Sequence, residues 1–136
     1  MTNNVEGFPP EARRMDDARI LFEGAKKHIE RGWTQGSQAV DETGTTCIPS
    51  SESARAWCPL GAIMAVLPHI SKYSSRRRSA FECAWRVLHQ VIQKNFQIRT
   101  SITAWNDAVG RQQSEVLALL DKAIESLEPN THGERA

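Results

Sequence analysis

The sequence predicts a mainly all-α fold. It is one compact bundle of four main helices over residues 12–128, with a short β-hairpin or an ordered loop near residues 33–49. Three observations carry this expectation. Apolar residues recur at three- and four-residue steps in four separate segments, which is the period of one helical face. The connections between those segments are short, as in helical bundles and arrays. A chain of 136 residues, 40% hydrophobic and 24% charged, buries enough surface to fold without a metal or a disulfide.

Residues 1–11 are polar and carry Pro9-Pro10, and they read as a mobile arm. Met15, Ala18, Leu21/Phe22, Ala25 and Ile29 then share the apolar face of the first helix. Asp16 and Asp17 suit its early turns, and Lys26, Lys27 and Arg31 suit its end, by the helix dipole. Gly32 is expected to end it in the left-handed conformation. In the segment that follows, Asp41-Glu42-Thr43-Gly44 is a turn signal between Ala39-Val40 and Thr45-Thr46-Cys47-Ile48.

Ser50-Ser51-Glu52 reads as the cap of a second helix. That segment is apolar nearly all round through Trp57, Leu60, Ile63, Met64 and Leu67, the pattern of a buried helix. Pro59 must either kink it or open a second helix there, and Pro68 is expected to stop it. Ser74 or Ser75 opens the third helix, whose stripe is Phe81, Ala84/Trp85, Leu88, Val91/Ile92 and Phe96. Ile102 and Trp105 start a short turn or helix, interrupted at Asn106-Asp107 and Gly110. Val116, Leu117, Leu119, Leu120, Ala123, Ile124 and Leu127 mark the last helix, and residues 129–136 read as a mobile tail.

The formal net charge is +1, from 17 basic and 16 acidic residues, without the global basic excess usual in a nucleic-acid binder. The charge is unevenly spread. Lys72 to Arg99 holds seven basic residues and one acid, whereas Asp107 to Ala136 holds six acids and three bases. The three cysteines, Cys47, Cys58 and Cys83, do not form the even set of a secreted disulfide framework. Met1 to Pro10 lacks the features of a signal peptide, and no stretch approaches the ~20 apolar residues that span a bilayer. A reduced, cytoplasmic protein that keeps off the membrane is expected.

Three segments stand in order along the chain: R-G-W-T-Q-G (Arg31 to Gly36), W-C-P-L-G-A (Trp57 to Ala62), and A-W-N-D-A-V-G-R (Ala104 to Arg111) followed by E-V-L-A-L-L-D-K-A (Glu115 to Ala123). As a set they resemble an uncharacterised family of small bacterial and phage proteins, a domain of unknown function. Its members show G-W-x-Q-G, W-C-x-x-G-A and W-N-D-x-x-G-R-x-x-x-E-V-L. The likeness spans Ala18 to Ala123, although Pro59 stands where a helix former is expected. The resemblance implies a shared fold and a bacterial or phage origin. It supplies no reaction.

No set of side chains in the sequence composes a catalytic, metal or cofactor site. Cys58 precedes Pro59, where a helix N-terminus lowers a thiol's pKa, but a nucleophile needs a placed base. Spacing does not place His28, His69 or His89 beside it. Its alternative role is a small core residue. Asn106 and Asp107 either hold a ligand or bond local backbone at a helix end, with Arg111 as a partner for Asp107 and Trp105 as a core anchor. Arg76, Arg77 and Arg78 oppose the dipole of the helix they open. They read either as a contact for an anion or an acidic surface, with Arg86 further along, or as a solvated helix start. Trp33, Trp57, Trp85 and Trp105 belong mainly to the core, with Trp33 and its neighbour Gln35 the most exposed candidates.

These readings favour a non-catalytic binding protein encoded by a phage or mobile element. It would occupy a host protein, such as a defence-system component, or sequester an anionic ligand. A small hydrolase or transferase using Cys58 or Asp107 is one alternative. A nucleic-acid-binding module built on residues 72–99 is another, less favoured.

Overall fold

The computed structural model describes residues 10–96 and 99–127. The expected tail at 129–136, and all but residues 10 and 11 of the expected arm, lie outside that range. Residues 10 and 11 form the first turn of helix α1 (Pro10–Arg31). Strands β1 (Ala39–Val40) and β2 (Ala56–Trp57) follow, then α2 (Pro59–Ile70), α3 (Ser74–Phe96), α4 (Ile102–Asn106) and α5 (Gln113–Ser126). The described residues are mainly helical, with one small antiparallel sheet.

Helix α1 packs against α2, α3 and α5. Its apolar face, Ala18, Leu21, Phe22, Ala25 and Ile29, is wholly buried, as the three- and four-residue steps require. Helix α2 buries Pro59, Gly61, Ala62, Ile63, Ala65 and Val66 and packs against α1, α3 and α4. Ala80, Cys83, Ala84, Leu88, Val91 and Ile92 of α3, with Val116, Leu119, Leu120 and Ala123 of α5, close the same core.

Two local expectations are corrected. Residues 50–58 are turns and a strand, not helix. Pro59 cannot donate an N–H and drives the residue before it out of the helical region, so Cys58 is extended, at φ −87° and ψ 172°. Helix α2 therefore begins at Pro59, in the first-turn position that tolerates proline, with Cys58 as its N-cap. Second, Pro68 sits inside the last turn, and α2 runs on to Ile70.

The turn Asp41–Gly44 forms as expected, with Asp41 N–H donating to Thr45 O, Cys47 N–H to Ala39 O and a bridge between Val40 and Thr46. Ala39–Val40 pairs in addition with the distant Ala56–Trp57, in the register Ala39–Trp57 and Val40–Ala56.

Gly32 ends α1 for a different reason than expected. It is not among the glycines of positive φ. A Cβ there would lie 2.1 Å from the carbonyl oxygen of Arg55, and Gly32 O accepts from Trp57 N–H at 3.1 Å. The residue is small because β2 runs against it.

Candidate functional site

The three sequence segments meet at one place, where the loop after α1, the start of α2 and the end of α4 converge. Trp33 Nε1 donates to Asn106 Oδ1 at 2.7 Å. Asn106 Nδ2 donates to Thr34 O at 3.2 Å and to Asp107 Oδ1 at 3.0 Å. Gln35 Nε2 donates to the carbonyls of Asn106 and Ala108, and Gly36 N–H donates to Asp107 Oδ1 at 3.0 Å. The middle segment joins through backbone: Cys58 N–H donates to Gln38 O at 3.1 Å. Gly61 leaves room for that same carbonyl, which a Cβ would meet at 1.8 Å.

Asn106 and Asp107 thus bond each other and backbone groups some 70 residues away, not nearby backbone. Asn106 is 1% exposed, so its amide would be costly to bury unpaired. Arg111 is not the partner of Asp107. Its Nε donates to Trp105 O at 2.8 Å, its guanidinium carbon lies 3.9 Å from the Trp105 ring centre, and Nη1 is 3.5 Å from Glu115. Trp105 is buried between that cation and Phe96, whose ring centre is 5.2 Å away.

Gly36, Ser37, Gln38, Cys58, Leu60, Thr103 and Asp107 line a cavity of about 160 Å³ at this junction. No described histidine lines it. Cys58 Sγ accepts from Gly61 N–H at 3.4 Å, as an N-cap does. Burial pushes the Cys58 thiol up, and Asp107 adds to the effect, against the lowering by backbone N–H groups. The thiol stays protonated at neutral pH, the opposite of an activated nucleophile.

The arginine run opening α3 divides by role. Arg76 donates through Nε and Nη2 to both oxygens of Asp17, at 3.0 and 2.9 Å. Asp17 is 2% exposed, so this two-point pair locks α1 to α3. Arg77 Nη1 donates to Ser71 O at 2.9 Å, beyond the end of α2. Arg78 is exposed. The dipole conflict expected of the run is relieved by a buried carboxylate and a carbonyl. The arginines are therefore not a uniformly solvated start.

Between α1 and the start of α3 lies a cleft of about 440 Å³, lined by Arg13, Arg14, Asp17, Tyr73, Ser75, Arg76 and Ser79. Arg14 Nη2 pairs with Glu11 at 2.7 Å, and its Nε is buried without a hydrogen-bond partner among the described residues. Arg13, Arg14 and Asp17 were missed as site residues by sequence reasoning. Their only signal was a three- and four-residue spacing on a helix whose partner face was unknown. Arg86 stands ten residues beyond Arg76, about 15 Å along the helix. It lines a separate surface depression with Trp85, whose ring stacks on Phe81 at 5.5 Å.

Trp57 is buried against His28, with ring centres 4.5 Å apart, and its Nε1 donates to Pro49 O at 2.9 Å. Trp33 is partly exposed, as expected. No described helix is long and apolar enough to cross a membrane.

The model of a family of unknown function matches residues 13–126, a span that takes in all three segments. No curated protein and no solved structure matches the chain.

Proposed function

The chain belongs to the DUF6197 family of unknown function, and from that premise we propose that it is a non-catalytic binding protein whose ligand is anionic. The observation that carries this reading is the cleft between α1 and α3. Arg13, Arg14 and Arg76 line it with one carboxylate, Asp17, which pairs with Arg76, and with Tyr73, Ser75 and Ser79; Arg14 pairs with Glu11. The cleft also lies at the start of a 23-residue helix, whose first-turn N–H groups and positive dipole end favour an anion. Its volume falls within the ~300–1,000 Å³ of small-molecule sites. Arg76 is held in place by Asp17, so part of the charge is preorganised.

The anion is a small molecule or the acidic side chains of a host protein. The setting that fits the bacterial and phage resemblance is a phage or mobile element acting on a host defence component in the cytoplasm. Three unpaired cysteines suit that reducing compartment. A hydrolase or transferase through Cys58 has less support, because its thiol is held neutral. Nucleic-acid binding along α3 also has less support. Arg77 is committed to Ser71 O. Successive eight-residue steps from Arg78 to Arg86 to Lys94 each turn about 80° round the helix, so these cations do not form one stripe.

Inorganic pyrophosphate is a suitable probe in an amide NMR titration at low salt. The reading predicts saturable shifts at residues 13–17 and 73–79. Shifts spread over the surface without saturation, or none, would refute it.

A further inference from the structure

The junction cavity has the opposite character to the cleft. Among its lining residues Asp107 is the one formal charge. The carboxylate is aimed by two donors, Gly36 N–H and Asn106 Nδ2, both on Oδ1. A carboxylate offers about four acceptor positions, and Oδ2 accepts no hydrogen bond from the described residues. The cation nearest in sequence, Arg111, is turned to Trp105 and Glu115 instead. Asp107 is therefore oriented but has no cationic partner among the described residues.

The remaining walls suit an alkyl chain ending in a donor. Leu60 and Cys58 are apolar surface, and the polar residues Gln38, Ser37 and Thr103 line the rest, with Ser37 Oγ paired to Thr46 Oγ1 at 3.0 Å. Beside Gly36 the space is open, since a Cβ there would meet nothing within 4 Å. A volume of 160 Å³ equals about five water volumes of ~30 Å³, room for about five non-hydrogen atoms.

We propose that this cavity binds a primary alkylammonium group, with Asp107 as its counter-ion and Leu60 and Cys58 along its stem. A group of four carbons and one nitrogen matches the space, which is the end of a lysine side chain or a free monoamine. The site goes beyond the anion reading and does not depend on it. It uses different residues and the opposite charge.

The test is an amide NMR titration of the full chain with n-butylammonium chloride, with sodium butyrate as the control. The expected result is saturable shifts at residues 36–38, 58–60, 103 and 107, with none there from butyrate. Asp107→Asn keeps the Oδ1 acceptor and removes the charge, and it should weaken binding at least about tenfold. Thr103→Leu keeps the charge, fills the space at an exposed position and should also abolish binding, which covers the case of a misfolded Asp107→Asn. A lysine-containing tripeptide with blocked ends separates the sources. Tighter binding than butylammonium points to a protein side chain, and weaker binding to a free amine. No saturable shift with either probe, or equal affinity in wild type and Asp107→Asn, overturns the proposal.

Discussion

Trp33 Nε1 donates to Asn106 Oδ1 over 2.7 Å, joining residues 73 positions apart in the chain. The bond ties the loop that leaves α1 to the end of α4, and Asn106 passes it on to Thr34 O and Asp107. A buried amide with each group paired rigidifies its surroundings, whereas a half-paired one is costly. Trp33→Phe should therefore destabilise the protein by about 1–3 kcal/mol while leaving the aromatic packing in place. A urea-melt cycle with Asn106→Ala checks it. Coupling of about 0.5–3 kcal/mol between the two sites is expected, and simple additivity would show that the bond contributes nothing.

Gly61 meets backbone, not a flexible side chain. A Cβ there would stand 1.8 Å from Gln38 O, which also accepts from Cys58 N–H. Gly61→Ala should cost about 3 kcal/mol or more, because neither the loop nor α2 can withdraw without breaking that bond. Circular dichroism during a urea melt reports it. An unchanged midpoint would mean that the approach is looser than described.

The cysteines should label in an order set by burial. Cys47 is part-exposed, whereas Cys58 and Cys83 are buried, and burial pushes both of their thiols up. In the folded protein at mild alkaline pH, iodoacetamide should modify Cys47 first and Cys58 only after unfolding. Mass spectrometry of timed samples reads the order. Preferential labelling of Cys58 would instead revive an enzyme using that thiol.

His28 gives the fold a pH dependence. Burial against Trp57 pushes its pKa below the usual histidine value, helped by Arg31 and His69. The folded state then binds fewer protons than the unfolded one, whose histidine titrates near 6.5. The stabilising contribution is complete above about pH 6.5 and is lost as the pH falls from there toward the depressed value. The melting temperature of wild type should drop more between pH 7 and pH 5.5 than that of His28→Gln. Parallel curves would assign the pH dependence elsewhere.

The helices were legible because each buries a face with a plain 3.6-residue period, as Leu21, Phe22, Ala25 and Ile29 show. What was not legible depends on contacts between distant segments. The turn signal at Asp41–Gly44 points to the local pairing that Cys47 N–H makes with Ala39 O, but not to the second pairing of Ala39–Val40 with the distant Ala56–Trp57. Periodicity carried the second helix back to Ser50, although the rule for a residue before proline would have stopped it at Cys58. At the candidate sites, residue types were visible but pairings were not. Arg111 lies four residues from both Asp107 and Glu115, and sequence spacing does not choose between them. Asp17 looked like a dipole residue, and only the packing of α1 on α3 makes it the buried anchor of Arg76.

Anion binding in the α1–α3 cleft can be read by calorimetric titration of wild type and Arg14→Ala with pyrophosphate at low salt. Arg14 makes an ion pair with the exposed Glu11, so its loss should leave the melting temperature nearly unchanged. Wild type should bind measurably, Arg14→Ala at least about tenfold more weakly, and both less as salt is raised. Equal affinity in the two proteins, or no heat of binding in either, would contradict it.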